Sequence, residues 1–296
     1  MPNTITLFQK YIDKLDEVYK RAALSGVLDG DNNLVKMGAN AHEMLIPKMS
    51  MSGLYDYSRE NGYTQGSVSL EMETKAFNYD RGTKFTVDAM DDEETAGIAF
   101  GQLAAEFVRT QVVPELDAFR FAKYAESAGN TDTGSFTSGT EITAALRTAT
   151  SAMDEAEVPS ENRILFITPT LKGMIDDLDT TKSKAVLEKF SQIIEVPQTR
   201  FYTGIVLGEG SYSKALGASD INFLIVHKSA ALQYTKHNVN KVISPEANQT
   251  SDGYLFFFRS YGITEAYDNK SNGIYCSYNS IRDTDMGGDE SSEMQP

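Results

Sequence analysis

The sequence predicts an α+β fold, and three observations carry that reading. A strong helical pattern runs over residues 91–127. A β-hairpin over residues 47–88 holds few large apolar side chains for its length. Helical and strand patterns then alternate from Glu141 to Tyr278.

Composition sets the bounds. The 296 residues allow one large domain or two modest ones with a substantial core. Apolar residues at 41% and charged residues at 23% are ordinary for a folded protein. The net charge is −15. Proteins that grip phosphates concentrate positive charge, because neutralising phosphates drives their binding. This balance argues against sequence-specific nucleic-acid binding, although a local basic patch stays open. A single cysteine, Cys276, allows no intrachain disulfide and suits a reducing compartment. Pro2–Leu7 is mixed and charges follow at Lys10, Asp13 and Lys14, which is not a signal peptide. The longest apolar runs, Ile221–Val226 and Tyr254–Phe258, are far too short to cross a bilayer. The expectation is a soluble, unsecreted protein with no membrane partner.

In chain order, Ile5, Phe8, Ile12, Leu15, Tyr19 and Ala22 recur at helical spacing, and the Asp29–Asn33 cluster ends the pattern. This is either a core helix or an arm that docks on a neighbour. Ser50–Gly66 has little periodicity. Val68, Leu70 and Met72 then alternate with polar residues, Asn78–Gly82 is turn-like, and Lys84–Asp88 alternates again. Such a hairpin buries little by itself, so it packs on its own body or on another chain.

Asp91 caps the next helix with Glu94 in the capping-box position, and Asp92 and Glu93 add favourable charge at its start. Phe100, Leu103 and Phe107 mark one face; Val112, Leu116 and Phe119 continue it past a kink at Pro114. The element would run about 50 Å at 1.5 Å per residue. The polar loop Gly129–Gly139 is the best internal boundary. Helices follow over Glu141–Glu157, Leu171–Leu178 and Lys182–Ile194, with a helical turn or two over Ser229–Lys236. Strands are expected over Arg163–Thr168, Phe201–Leu207, Ile221–Val226, Val239–Ser244, Tyr254–Tyr267 and Gly273–Tyr278. The acidic, Gly/Ser-rich tail over 281–296 reads as disordered.

The search for chemistry is mostly negative. Gly208-Glu209-Gly210 lacks the third glycine of a dinucleotide loop. The run from Asp29 begins like a calcium loop but has Leu34 where glycine is required and Asn40 where the bidentate glutamate belongs. His42, His227 and His237 fall in no zinc pattern. Cys276 sits in a β-pattern, as a packed thiol would. Asp176-Asp177 and Asp91–Glu94 are explained by helix termini or a solvated face. The sequence thus offers no catalytic, cofactor-binding or metal-binding set, and no cofactor. A helix this long, a hairpin with little core and an N-terminal arm suit a subunit whose extensions are buried by neighbours.

The order of these parts resembles a known family. Val112-Val113-Pro114-Glu115-Leu116-Asp117-Ala118-Phe119-Arg120 looks like the second half of the spine helix of phage capsid proteins. Arg163–Pro169 resembles the first strand of their axial domain, and Phe223–Leu232 the strand and helix returning from it. Phe258–Tyr267 with Asn272–Tyr275 resembles the closing β-segments. Together they are similar to tailed-bacteriophage major capsid proteins with the Hong Kong 97-type fold, over roughly residues 1–280.

The resemblance implies an N-terminal arm (1–46), an extended E-loop hairpin (47–88) and a P-domain with the spine helix (89–135). It further implies an A-domain (136–229), P-domain β-segments (230–268), a closing A-domain strand (269–280) and the tail (281–296). It implies a non-enzymatic subunit that self-assembles into hexamers and pentamers around packaged double-stranded DNA. That places the protein in the virion, assembled in the host bacterial cytoplasm. Other implied partners are a portal and, in some members, a decoration protein. The stretch before Pro47 is too short for a removable scaffolding segment, and the start at Met1-Pro2 favours a separate scaffolding protein. Some members cross-link a hairpin lysine to a neighbour's asparagine. Lys75 and Asn248 are the nearest candidates, neither sits in a matching motif, and Lys75 reads as an ordinary strand charge.

Three other classes compete: an encapsulin-like compartment of the same fold, another phage structural protein of the tail or decoration kind, and a soluble α/β enzyme.

Overall fold

The structure, a computed structural model, describes residues 23–30, 36–37, 42–60, 62–88, 106–178, 180–249 and 252–279. The helical pattern over 4–22, the Asp91–Glu94 cap, Phe100, Leu103 and the acidic tail lie outside them.

The strands are β1 (Lys36–Met37), β2 (Glu43–Met51), β3 (Val68–Ala76), β4 (Tyr79–Asp88), β5 (Asn130–Thr133), β6 (Arg163–Ile167), β7 (Gln192–Glu195), β8 (Ile205–Leu207), β9 (Tyr212–Lys214), β10 (Ile221–His227), β11 (Ala231–Ile243), β12 (Gly253–Ala266) and β13 (Ile274–Tyr278). The α-helices are α1 (Val113–Glu126), α2 (Gly139–Glu155), α3 (Pro169–Asp176) and α4 (Thr181–Leu187).

The main core surrounds a five-stranded sheet in the order β5-β13-β10-β6-β7. β6 and β10 are buried along their whole length, as their unbroken apolar runs require. Successive side chains point to opposite faces. Ile164, Phe166, Leu224 and Cys276 therefore meet Phe121 and Tyr124 of α1 on one side. Leu165, Ile167, Phe223, Ile225 and Tyr275 meet Ile142, Leu146 and Met153 of α2 and Ile175 of α3 on the other. Each fully buried side chain of this size contributes about 1.5–3 kcal/mol.

A capping box starts α2: the Ser138 hydroxyl accepts from the Glu141 amide while the Glu141 carboxylate accepts from the Ser138 amide. That carboxylate also takes the Thr137 amide and hydroxyl, which holds its pKa below the ordinary glutamate value.

The second sheet is antiparallel, in the order β11-β12-β4. Phe256 and Phe258 of β12 pack on Val108, Val112 and Val113, so the helical stretch before α1 covers this sheet and α1 covers the first. The expected interruption at Pro114 takes the form of a π-helical stretch, Val108–Val112. The Val113 amide donates to the Val108 carbonyl, five residues back. Widening the ladder makes room for a proline ring that carries no N–H and would otherwise crowd the carbonyl four residues earlier.

Several expectations need correction. The hairpin partners are β2 and β3, in register from Glu43↔Ala76 to Met51↔Val68. β4 does not fold back on β3; it pairs with β12 from Asp88↔Gly253 to Tyr79↔Gly262. Asn78–Gly82 is thus no hairpin turn. Asn78 bridges the change of sheet, its amide donating to the Thr264 carbonyl and its oxygen accepting from the Thr264 amide. Gly82 sits inside β4, where a Cβ would lie 2.8 Å from the Phe258 carbonyl oxygen. The glycine serves close backbone approach, not a bend.

Ser229–Lys236 is not helical: after a short 3-10 turn at Lys228–Ala230 the chain is already in β11, where cross-strand pairing with β12 overrides local propensity. The Lys182–Ile194 helix stops at Leu187, and Ile193 and Ile194 join β7 beside β6. In Phe201–Leu207 only Ile205–Leu207 is strand, and it is partly exposed; Phe201 is buried through contact with Phe121.

Candidate functional site

Among the described residues no group of three or more His, Cys, Asp or Glu side chains converges to hold a metal, and no helix is long and apolar enough to cross a membrane. The residues weighed for chemistry go to separate places. His42 Nδ1 lies 2.9 Å from the Tyr261 hydroxyl. His227 Nδ1 lies 2.8 Å from the Ser229 hydroxyl; burial lowers its pKa below the ordinary value of 6.5. His237 is exposed on β11, after a register shift in its pairing with β12. Cys276 is buried, and desolvation pushes its thiol up to about 12, so it stays protonated and inert.

Gly208 to Gly210 form the turn between β8 and β9, with Gly210 at φ +72°. Arg81 donates to the Gly208 carbonyl at 2.7 Å and forks onto Glu115 at 2.8 and 3.2 Å, which binds that turn to α1. Asp176 is ion-paired with Lys172 on its own helix.

The unusual surface is the β2–β3 ribbon. At about 3.3 Å per residue its nine-residue strands reach roughly 30 Å. Its base is clamped. Met44 and Ile46 are buried against Leu232 and Ile263. On the same face Lys75 Nζ contacts Glu73 at 2.9 Å, Asp268 at 3.0 Å and Glu265 at 3.4 Å. Desolvation pulls the Lys75 ammonium down, yet the hydrogen bonds it donates to Glu73 and Asp268 and the charge of Glu265 outweigh it and leave its pKa above the ordinary lysine value. Lys75 is therefore a fully charged clamp. Asn248, the other residue weighed for a cross-link, donates to the Gly253 carbonyl at 2.8 Å.

Further out the two faces invert the plan of a monomeric protein. One is polar: Lys48 stands opposite Glu71, and the hydroxyls of Ser50 and Ser69 lie 2.7 Å apart. The other is apolar and bare: Met49 faces Leu70, Met51 faces Val68, and Met72 continues the row. These five side chains are 43–70% exposed. The tip adds Leu54, and Tyr57 packed against Tyr63 with centroids 4.9 Å apart, all exposed. β1 pairs with β2 only at the base, at Met44 and Leu45, and beyond it the ribbon is two-stranded; such a ribbon gains little stability alone, so an apolar row on its outer face points to burial by something else. The alternation at Val68–Met72 was readable in sequence. The partner strand was not, because the unbroken apolar run Met44–Ile46 and Pro47 interrupt the alternation that Lys48 to Met51 continue.

No family model matches the sequence, and no curated protein matches it. Solved structures do. The chain is similar to a chain of the mature capsid of bacteriophage PhiM1, at 12% identity and TM-score 0.59, over 81% of this chain and 83% of that one. It is similar to a capsid chain of the cyanophage P-SCSP1u, at 14% identity and TM-score 0.54, over 83% and 86%. It is also similar to the virus-like particle from Pyrococcus furiosus, at 11% identity and TM-score 0.55, over 92% and 99%. The fold is therefore that of capsid proteins, mixed helix and sheet. Within that class its structural neighbours include phage capsid chains, as the resemblance in sequence order had indicated.

Proposed function

We propose that this chain is the non-enzymatic structural subunit of an icosahedral phage head, assembling into hexamers and pentamers that enclose double-stranded DNA. The observation that carries the reading is the exposed apolar face of a ribbon rigidly clamped at its base, on a chain with a capsid fold. In this reading the layout is Hong Kong 97-type. The ribbon is the E-loop, held out from the body by the Lys75 cluster and covered by the next subunit. The helix through α1 is the spine of the P-domain, together with the β11-β12-β4 sheet. The five-stranded sheet with α2, α3 and α4 is the A-domain, and the residues that precede β2 form the arm. A separate scaffolding protein, a portal and, in some heads, a decoration protein complete the partners; assembly takes place in the host cytoplasm. The net charge of −15 limits adhesion of packaged DNA to the inner wall.

A second reading, an encapsulin-like compartment, draws on the likeness to the Pyrococcus furiosus particle, which spans 99% of that chain. Particles purified from producing cells separate the two. Nuclease-protected DNA inside supports the head; cargo protein and no DNA supports the compartment.

A further inference from the structure

The bare face of the ribbon presents three thioethers to solvent. Met49, Met51 and Met72 are 56%, 70% and 43% exposed. Met44 and Met153 are fully buried, and Met174 is partly buried. Oxidation of methionine follows exposure. A thioether sulfur attacks one oxygen of hydrogen peroxide, the O–O bond breaks, and the second oxygen leaves as water. The sulfur is oxidised by two electrons to a sulfoxide and the peroxide is reduced.

We propose that Met49, Met51 and Met72 form a modification site at which peroxide-class oxidants turn the ribbon's docking face polar and block its burial by a second copy of the chain. The inference rests on the shell reading given above. Its geometry is local. Met49 stands opposite Leu70 and Met51 opposite Val68, neither of which has a side-chain donor, and Met72 follows Leu70 on the same face. A sulfoxide oxygen, a strong acceptor, thus enters the contact with no partner from its own ribbon's side chains, and an unsatisfied buried acceptor opposes association. Docking covers the same sulfurs, so the oxidant acts on the free subunit and spares the finished shell. Reductases reverse the change, because methionine sulfoxide is reducible.

The test treats the unassembled full chain with dilute hydrogen peroxide, maps sulfoxides by peptide mass spectrometry, and follows assembly by sedimentation. Sulfoxides are expected at Met49, Met51 and Met72 before Met44 and Met153, with a rise of about tenfold or more in the concentration needed for assembly. Methionine sulfoxide reductases should reverse it. A triple M49L/M51L/M72L variant with an unchanged thermal midpoint should assemble before and after peroxide. Sulfoxides at all three positions with unchanged assembly would overturn the inference, as would equally fast oxidation of Met44 and Met153. If untreated protein never assembles, the shell reading fails; the peptide map alone then decides, with preferential oxidation upholding the modification site and uniform oxidation overturning it.

Discussion

Asp117 is fully buried on α1 and accepts the Leu24 amide, the Ser25 amide and the Ser25 hydroxyl at 3.1, 3.1 and 2.6 Å. Arg120, also buried, donates to the same hydroxyl at 3.0 Å, and Arg200 lies 3.4 Å from the carboxylate. Gln233 of β11 completes the set, donating to the Ser25 carbonyl and to Asp29 while accepting from the Tyr124 hydroxyl. This network fixes the segment 23–30 to α1. Removing one partner leaves buried polar groups unpaired, so Asp117→Ala should lower stability by about 3–5 kcal/mol in urea unfolding. None of this was readable in sequence, because the partners are about 90 or 200 residues apart. The packed character of Cys276 was readable from its β-pattern. Its thiol should react with an alkylating probe only as fast as the chain unfolds.

His227 gives a pH dependence at the same scale. Burial lowers its folded pKa below the unfolded value near 6.5. Between the two values the unfolded chain binds more protons, so stability rises with pH across that window. The contribution is complete above about 6.5 and is lost as pH falls towards the folded value. Unfolding free energy should fall from about pH 7 to about pH 5, and His227→Gln should flatten part of that slope.

At the scale of elements the ribbon separates from the body. Met44, Ile46 and Lys75 secure its base, while residues 49–72 touch little of the chain. Replacing 49–72 by a short Gly-Ser turn should leave the thermal midpoint within a few degrees of wild type and abolish assembly. A deletion reaching into Tyr79–Gly82 would instead strip ladder pairs from β12 and damage the body. Phe107 teaches a similar lesson. Its helical spacing marked it as core, yet it is half-buried at the edge of the β4–β12 sheet, with its ring 4.7 Å from Phe85 and 6.1 Å from Phe258. Phe107→Ala should cost about 2 kcal/mol, less than a fully buried phenylalanine.

Helices with strong periodicity, such as α2, and unbroken apolar strands, such as β6 and β10, were legible to within a residue or two. The destination of β4 and the strand character of 231–236 were not, because both are decided by pairing with β12 across long sequence separations.

At the scale of the whole molecule, the continuous helical stretch Val108–Glu126 spans two sheets, packing its π-helical part on one and α1 on the other. In the proposed shell each ribbon contact is repeated around every subunit, and symmetric repetition turns even modest pairwise affinities into a stable particle.

Electron microscopy of the purified, concentrated protein, alone and with any co-expressed scaffold-like neighbour, tests the central claim most directly. Closed shells, or rings of five and six subunits, are the predicted result. A clean monomer or dimer under both conditions would contradict it.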